Sequence, residues 1–466
     1  MFVGRREELQ FLEERYNSKN GQLIVLYGRR RVGKTETLKK FCEGKPHVFY
    51  SCTECPDEKQ LTSFSERMLQ KGMEAAKYIR KFQDWNQALK SVADLPFEEK
   101  KLLVIDEFPY MVRSNASIPS ILQNLWDEQL KNENVMIILC GSAMSFMEKE
   151  ILAEKNPLYG RATGILKMNE MGFYDAIKFV ENYSPEEKIV TYAVLGGIPH
   201  YLKQFDDQLS LEENICKHIL TRGSILYSEV EFLMKQEFRE TATYNVIIEA
   251  IALGNTKLNE IYQKTQIEKT KLSAYLKNLT DIGIIRREFP ATDRVKEQAN
   301  VQRGLYQVSD AFFKFWYAFV FPNMSELENG DVDGIWKYAI EPEMNFYVSY
   351  MFEDICRQYL RKMNRENKLP FHFTKIGRWW DKAIELDILA MDTKKEKFML
   401  GECKYKNSNF SYSDFQNMKE KFQPQKRNSE IYYYLFSKSG FSGELQAEAH
   451  EYPEVRLIDL DTVVNS

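Results

Sequence analysis

The sequence predicts an α/β protein that opens with a parallel β-sheet carrying helices on both faces. Three observations lead there. A β-run, Leu23 to Tyr27, leads through Gly28, four spacers, Gly33, Lys34 and Thr35 into a helical pattern. Further apolar runs, "KLLVIDEF" and "VMIILCGSAMSF", repeat the strand-then-polar theme. Strands and helices alternate across residues 1–168, and that order calls for a parallel sheet covered on both sides. A chain of 466 residues exceeds one compact core, so two to four domains are expected.

Composition narrows the class. The chain is 44% apolar and 28% charged with a net charge of -4, which excludes a wholly basic nucleic-acid binder but leaves room for a local basic face. The start, "MFVGRREELQFLEERY", is charged and lacks an apolar core, so no signal peptide is expected. The aromatic stretch "AFFKFWYAFVFP", Ala311 to Pro322, is too short to span a bilayer and carries Lys314, so a buried helix is expected and no membrane. Seven cysteines, an odd number in a long chain, suggest reduced thiols and a cytoplasmic home. The pair Cys52 and Cys55 has no second pair to complete a metal site.

The first motif has a chemical reading. In a strand-loop-helix context, Gly28, Arg29, Arg30, Arg31, Val32 and Gly33 form a P-loop whose backbone N–H groups turn toward phosphate, with Glu36 in the first helical turn. Lys34 neutralises the β- and γ-phosphates of ATP, and Thr35 offers its hydroxyl to Mg²⁺. At the end of "KLLVIDEF", Asp106 can hold the magnesium shell and Glu107 can orient the attacking water, a Walker B pair. Ser142 stands just past a third strand, where it can sense the γ-phosphate or simply end the strand. Arg161, on the Gly-flanked turn "NPLYGRATG", is a candidate for transition-state charge in cis or from a neighbouring subunit of a homo-oligomer. The plainer reading is solvated surface.

"FVGRREEL", "YGRRRVGKTE", "LVIDEF", "LCGSAMSFM", "PLYGRATG" and "LGGIPHYL" together resemble the archaeal-type ATPase family, near the AAA+ and STAND groups of P-loop ATPases. The resemblance covers about the first half of the chain. It implies that Gly4 and Arg5 lie near the adenine and that Gly196 to Pro199 belong to a helical lid.

From Tyr244 three helical patterns precede a β-run. Leu272, Tyr275, Leu276, Leu279 and Ile282 have the spacing of a buried stripe. A second strand, "GLYQVSD", would close a wing around "ATDRVKEQANVQR", giving a winged helix with Lys269, Lys271 and Lys277 on or beside its third helix and Arg286 and Arg287 in the wing strand. DNA is the partner such a face suits. Acidic neighbours such as Glu268 and Asp281 keep a packing or protein-partner module open.

After a polar linker, "ELDILAMDTKKEKFMLGECKYK" reads as a hairpin with its loop at Asp392 to Lys397. Symmetry about Lys394 and Lys395 puts Met391 opposite Phe398, Leu389 opposite Leu400, Asp387 opposite Glu402 and Glu385 opposite Lys404, all on one face. Two carboxylates about 5 Å apart repel by roughly 3 kcal/mol at an effective dielectric of about 20. Asp387, then Glu402 and Lys404 two apart, resemble the PD-(D/E)XK nucleases, and the resemblance implies an acidic ligand at Glu353 on the preceding helix. The first motif is Leu-Asp rather than Pro-Asp, and the helix of Gln416 lacks the tyrosine that some branches carry. On that resemblance Asp387, Glu402 and Lys404 are catalytic. Glu353, Asp387 and Glu402 would hold Mg²⁺ or Mn²⁺, and a divalent cation would offset the three negative charges of Glu385, Asp387 and Glu402 that Lys404 alone does not balance.

The expected architecture is therefore a P-loop ATPase core at 1–168, a helical lid at 169–238, a winged helix at 239–321, a linker at 322–334 and a restriction-endonuclease-like α/β domain at 335–466. The expected function is ATP hydrolysis coupled to DNA binding and metal-dependent cleavage. The alternative is an ATP-switched signalling or scaffold protein whose tail binds a partner without cutting.

Overall fold

A computed structural model describes residues 2–294, 296, 304–381, 384–424 and 428–466. The chain divides into two compact units, Met1–Met171 with Ile198–His200, and Gly172–Gly197 with Tyr201–Ser466.

The first unit holds a five-stranded sheet. Its strands are β1 (Gln22–Tyr27), β2 (His47–Ser51), β3 (Lys101–Asp106), β4 (Val135–Gly141) and β5 (Gly164–Lys167), in the order β2-β3-β4-β1-β5 and all parallel. The apolar runs of β1, β3 and β4 are buried on both faces, as helices packed on both sides require. Leu23, Val25, Leu103, Ile105, Ile137 and Leu139 join one core with Phe64, Trp85 and Trp126. The alternate residues Ile24, Leu26, Val104 and Ile138 point to the other face and are equally sealed. The sheet thus lines up the carboxyl ends of β1, β3 and β4, where the P-loop, Asp106 and Ser142 emerge.

The second unit begins with helices. The aromatic stretch forms the helix Ala311–Phe315 running into a π-turn, Trp316–Val320, with Phe312, Phe313 and Phe315 fully buried and the Trp316 indole N–H donating to the Tyr227 carbonyl at 2.8 Å. Helices Ala242–Ala252, Leu258–Thr265 and Lys269–Asp281 precede an antiparallel pair, β6 (Ile285–Glu288) and β7 (Leu305–Val308). Leu272, Leu276 and Leu279 bury the expected stripe, while Tyr275 and Ile282 are half-buried at its margin. Most of the expected wing, residues 295 and 297–303, lies outside the described residues. The segment expected as a linker is helical instead: Met324–Glu328 and Val332–Ile335 form short helices, with Leu327 and Ile335 buried.

A second sheet, mixed in direction, follows the long helix Met344–Arg365. It comprises β8 (Lys375–Asp381), β9 (Ile384–Met391), β10 (Lys397–Lys404), β11 (Glu430–Ser437) and β12 (Val455–Asp459), ordered β12-β11-β10-β9-β8. The turn of the β9–β10 hairpin is organised by the Asp392 carboxylate, which accepts from the backbone N–H groups of Glu396 at 2.8 Å and Lys397 at 3.0 Å. Met391 faces Phe398 and Leu389 faces Leu400, as the symmetric loop predicts. The ladder stops at Ile388–Gly401. Asp387 and Ile388 stand opposite the single residue Arg378 of β8, a β-bulge that re-aims the strand. Leu386 and Leu389, three apart, accordingly share one core with Leu400. The expected single face therefore breaks at Asp387. Glu385 and Lys404 lie beyond the end of the β9–β10 ladder, and each is paired on its other side, Glu385 with Trp380 of β8 and Lys404 with Ser437 of β11.

Candidate functional site

At the first sheet, the P-loop is shaped by its glycines. A Cβ on Gly28 would lie 2.3 Å from the Met168 carbonyl oxygen, and Gly33 has a φ of +94°. The Lys34 ammonium donates to the carbonyls of Gly28 at 2.8 Å and Arg29 at 2.9 Å, and burial pulls its pKa below the ordinary lysine range. Thr35 Oγ1 donates to Asp106 Oδ2 at 2.7 Å. Glu107, in a left-handed conformation at φ 52°, accepts from Ser142 Oγ at 2.9 Å. The Arg5 guanidinium donates to the Val32 carbonyl at 2.6 Å, which ties the amino-terminal segment to the P-loop. Pro199 lies 3.7 Å from where a Gly33 Cβ would be. A hydroxyl beside a carboxylate is the donor set Mg²⁺ accepts, and the lysine beside it suits phosphate.

Arg161 is elsewhere. It precedes β5, beside the start of β1, and pairs with Asp127 at 3.0 Å. The P-loop leaves the other end of β1, one strand length or roughly 20 Å away. This places Arg161 at the opposite end of the sheet from the P-loop, because all the sheet's strands point their carboxyl ends toward the P-loop.

The second sheet brings together Glu353, Asp387, Glu402 and Lys404, and adds partners that the spacing did not disclose. The bulge turns Asp387 so that its Oδ2 accepts from the Cys403 N–H at 2.8 Å. Burial raises its pKa, against the downward pull of that N–H, Arg378 and Lys421. Glu402 is raised by burial and then by Asp387, although Lys421 Nζ donates to both its oxygens at 2.8 and 3.0 Å. Lys404 is ion-paired with Asp414. Glu353 meets Arg378 Nε at 3.3 Å and Arg357 Nη1 at 3.6 Å. Burial and the nearby Asp387 nevertheless push its carboxyl up to about 7. Arg378 also bonds Glu385 and meets Glu288 of β6 at 3.5 Å.

These contacts bear on two expectations. Lys404 is not the sole offset to the carboxylates, since Arg357, Arg378 and Lys421 share that task. Glu353 faces two guanidinium groups, because the stripe of its helix also carries Arg357 and β8 brings Arg378. Among the described residues no three carboxyl, thiol or imidazole groups converge as a metal cage. Asp387 forms no ion pair among the described residues, and with Glu402 it leaves a two-carboxylate set of the kind Mg²⁺ uses when substrate phosphate and water complete its shell. Arg378 and Lys421 escaped the sequence reading because only the bulge and the end of the helix Tyr412–Glu420 bring them to these acids.

Fold and P-loop geometry together define an ATPase domain of the P-loop class. Residues 2–205 match the ATPase domain predominantly from Archaea, and residues 316–419 match a family described as archaeal and bacterial proteins of unknown function. An uncharacterised protein of Methanocaldococcus jannaschii is 37% identical over 407 residues, covering 87% of this chain and 88% of that protein. The chain belongs to this archaeal ATPase family. A segment of 45 residues, 10% of this chain and 76% of the relative, is 62% identical to an uncharacterised ATP-binding protein of the same organism. Among solved structures, a Walker-type ATPase of Pyrococcus abyssi is similar at a TM-score of 0.49 and 21% identity, over 68% of this chain and 96% of that one. The ORC2 protein of Aeropyrum pernix is similar at a TM-score of 0.44 and 17% identity, over 71% and 93%. No helix among the described residues is long and apolar enough to cross a membrane.

Proposed function

We propose that this ATPase couples nucleotide turnover to a DNA-binding winged helix and a Mg²⁺-dependent nuclease site. Lys34, now on its loop carbonyls, would neutralise the β- and γ-phosphates, Thr35 and Asp106 would hold Mg²⁺, and Glu107, held by Ser142, would orient the attacking water. The helix Lys269–Asp281 presents Lys269, Lys271 and Lys277 on its exposed side, suited to phosphate contact.

One observation carries the nuclease reading: Asp387, turned by a bulge, stands beside Glu402 with Lys404 two residues on, and both carboxyls are raised by burial. A bound Mg²⁺ would supply charge neutralisation and an activated water. Asp387 and Glu402 would hold it, and Lys404, released from Asp414, would position the water or meet the charge developing on phosphate. The scaffold reading draws on a different observation, that Lys404 and Glu402 are already satisfied by Asp414 and Lys421.

Thermal melts and cleavage assays on wild type and Asp387→Asn decide between them. With Mg²⁺ or Mn²⁺ in place of chelator, wild type gains stability and cuts DNA, while the variant gains little and does not cut. Equal metal-induced shifts in the two proteins, with no cleavage by either, would establish the scaffold reading instead.

A further inference from the structure

The long helix that carries Glu353 also carries two aromatic rings that the fold leaves uncovered. Phe346 is 63% exposed and Tyr350 40% exposed, and their rings pack edge to face with centroids 5.4 Å apart. At 100° per residue, Phe346, Tyr350, Glu353 and Arg357 fall on one stripe, with Tyr350 about 4.5 Å and Phe346 about 10 Å along the axis from Glu353. Beneath them lies Lys314. Its ammonium sits 4.5 Å from the centre of the Tyr350 ring and 5.4 Å from that of Tyr347, and among the described residues it makes no hydrogen bond or ion pair. Burial pulls its pKa down to about 8, with Arg378 and Arg286 repelling it and the Glu353 carboxylate attracting it.

Two large rings in water cost free energy unless something covers them, and a buried ammonium with no hydrogen-bond or ion-pair partner in contact is unsatisfied in its own right. One occupant meets both needs. A nucleobase offers a flat π-face to Phe346 and Tyr350, and its backbone offers phosphate to Lys314. A duplex keeps its base faces stacked on one another, so only an unpaired strand can use the platform. An apolar protein segment would cover the rings but leave the lysine without a partner, which makes charge complementarity the deciding feature.

We propose that Phe346, Tyr350 and Lys314 form a stacking platform for one or two unpaired nucleotides, and that the substrate class is single-stranded DNA or the unpaired arm of a branched DNA. This rests on the nuclease reading of the adjacent carboxylates. The direction of the stripe then delivers the strand toward Glu353 and on to Asp387 and Glu402.

The test uses the full chain in Mg²⁺ with two probes, a fluorescent oligothymidylate of about 12 nucleotides and a duplex of the same length. Binding is measured in the Asp387→Asn background, so that cleavage does not deplete the probe. Adding Phe346→Ala and Tyr350→Ala together is expected to weaken single-strand binding by about 10-fold or more, while duplex binding stays within about two-fold. Phe346→Tyr with Tyr350→Phe should restore the single-strand affinity, since either ring stacks. Cleavage in the Asp387 background is then compared for wild-type and doubly substituted platforms. Unchanged single-strand affinity, or equal loss on both probes, would overturn the platform even if wild type cuts DNA. Selective loss on the single strand would uphold it even if wild type cuts nothing, in which case the nuclease reading alone falls.

Discussion

The Glu353 carboxyl is a site where burial makes a measurable demand. Its pKa rises from the ordinary 4.5 to about 7, first through burial and then through Asp387, and the arginines at 3.3 and 3.6 Å do not fully counter this. Between these two values the folded chain holds a proton that the unfolded chain has released. Stability therefore falls as pH rises through this window and stays reduced above it. A displacement of this size is worth roughly 3 kcal/mol when the whole window has been crossed. Glu353→Gln carries no proton to lose and keeps an oxygen that the guanidinium groups can address. At about pH 4.5 the two proteins should be nearly equal in stability, and at about pH 8 the variant should be the more stable by up to roughly 3 kcal/mol. Urea unfolding in chelator at several pH values, with stabilities extrapolated to water, supplies the numbers. A difference that stays flat with pH, or that favours wild type as pH rises, would refute the account of Glu353 as a net-destabilised carboxylate.

Lys34→Ala should weaken ATP binding and lower turnover by about two orders of magnitude or more, whereas Glu107→Gln should keep ATP bound and lose turnover by a similar factor; nucleotide binding and phosphate release measured side by side separate the roles. Changing Lys269, Lys271 and Lys277 together to Ala should reduce the slope of log affinity for duplex DNA against log salt by about three, and an unchanged slope would make this segment a protein-partner module. Arg161→Ala should leave ATP turnover of a dilute, monomeric sample within about two-fold of wild type and cost about 1 kcal/mol of stability, since it removes a surface pair with Asp127 and an exposed hydrogen bond to the Tyr159 carbonyl. A large loss of turnover in the monomer would put Arg161 back at the nucleotide.

The P-loop was legible because all its instructions are local. Gly28 and Gly33 are needed by a tight turn, Lys34 and Thr35 follow directly, and the apolar runs of β1, β3 and β4 announce strands buried on both faces. Asp106 and Glu107 could be placed because a strand's carboxyl end is known once the strand is known. The carboxylates of the second sheet were legible only in part. The hairpin turn and its first pairs follow from the Asp392 loop, but the strand period of two cannot foresee a residue inserted at Asp387.

What the sequence determined by itself is the set of groups that chemistry requires and the elements that carry them: P-loop, acidic strand end, lysine-bearing helix, and Asp387 with Glu402 and Lys404 on neighbouring strands. What only the tertiary structure decided is which charges meet. Arg378 reaches Glu353, Glu385 and Glu288 across a bulge, Lys421 reaches Glu402 from beyond a helix end, and Arg161 stands at the far end of its sheet from the phosphate loop. The physical reason is range. Turns, caps and strand periods act over a few residues and are written in sequence order, whereas an ion pair is set by distance in space, which the chain reaches only after the sheets have twisted, bulged and packed.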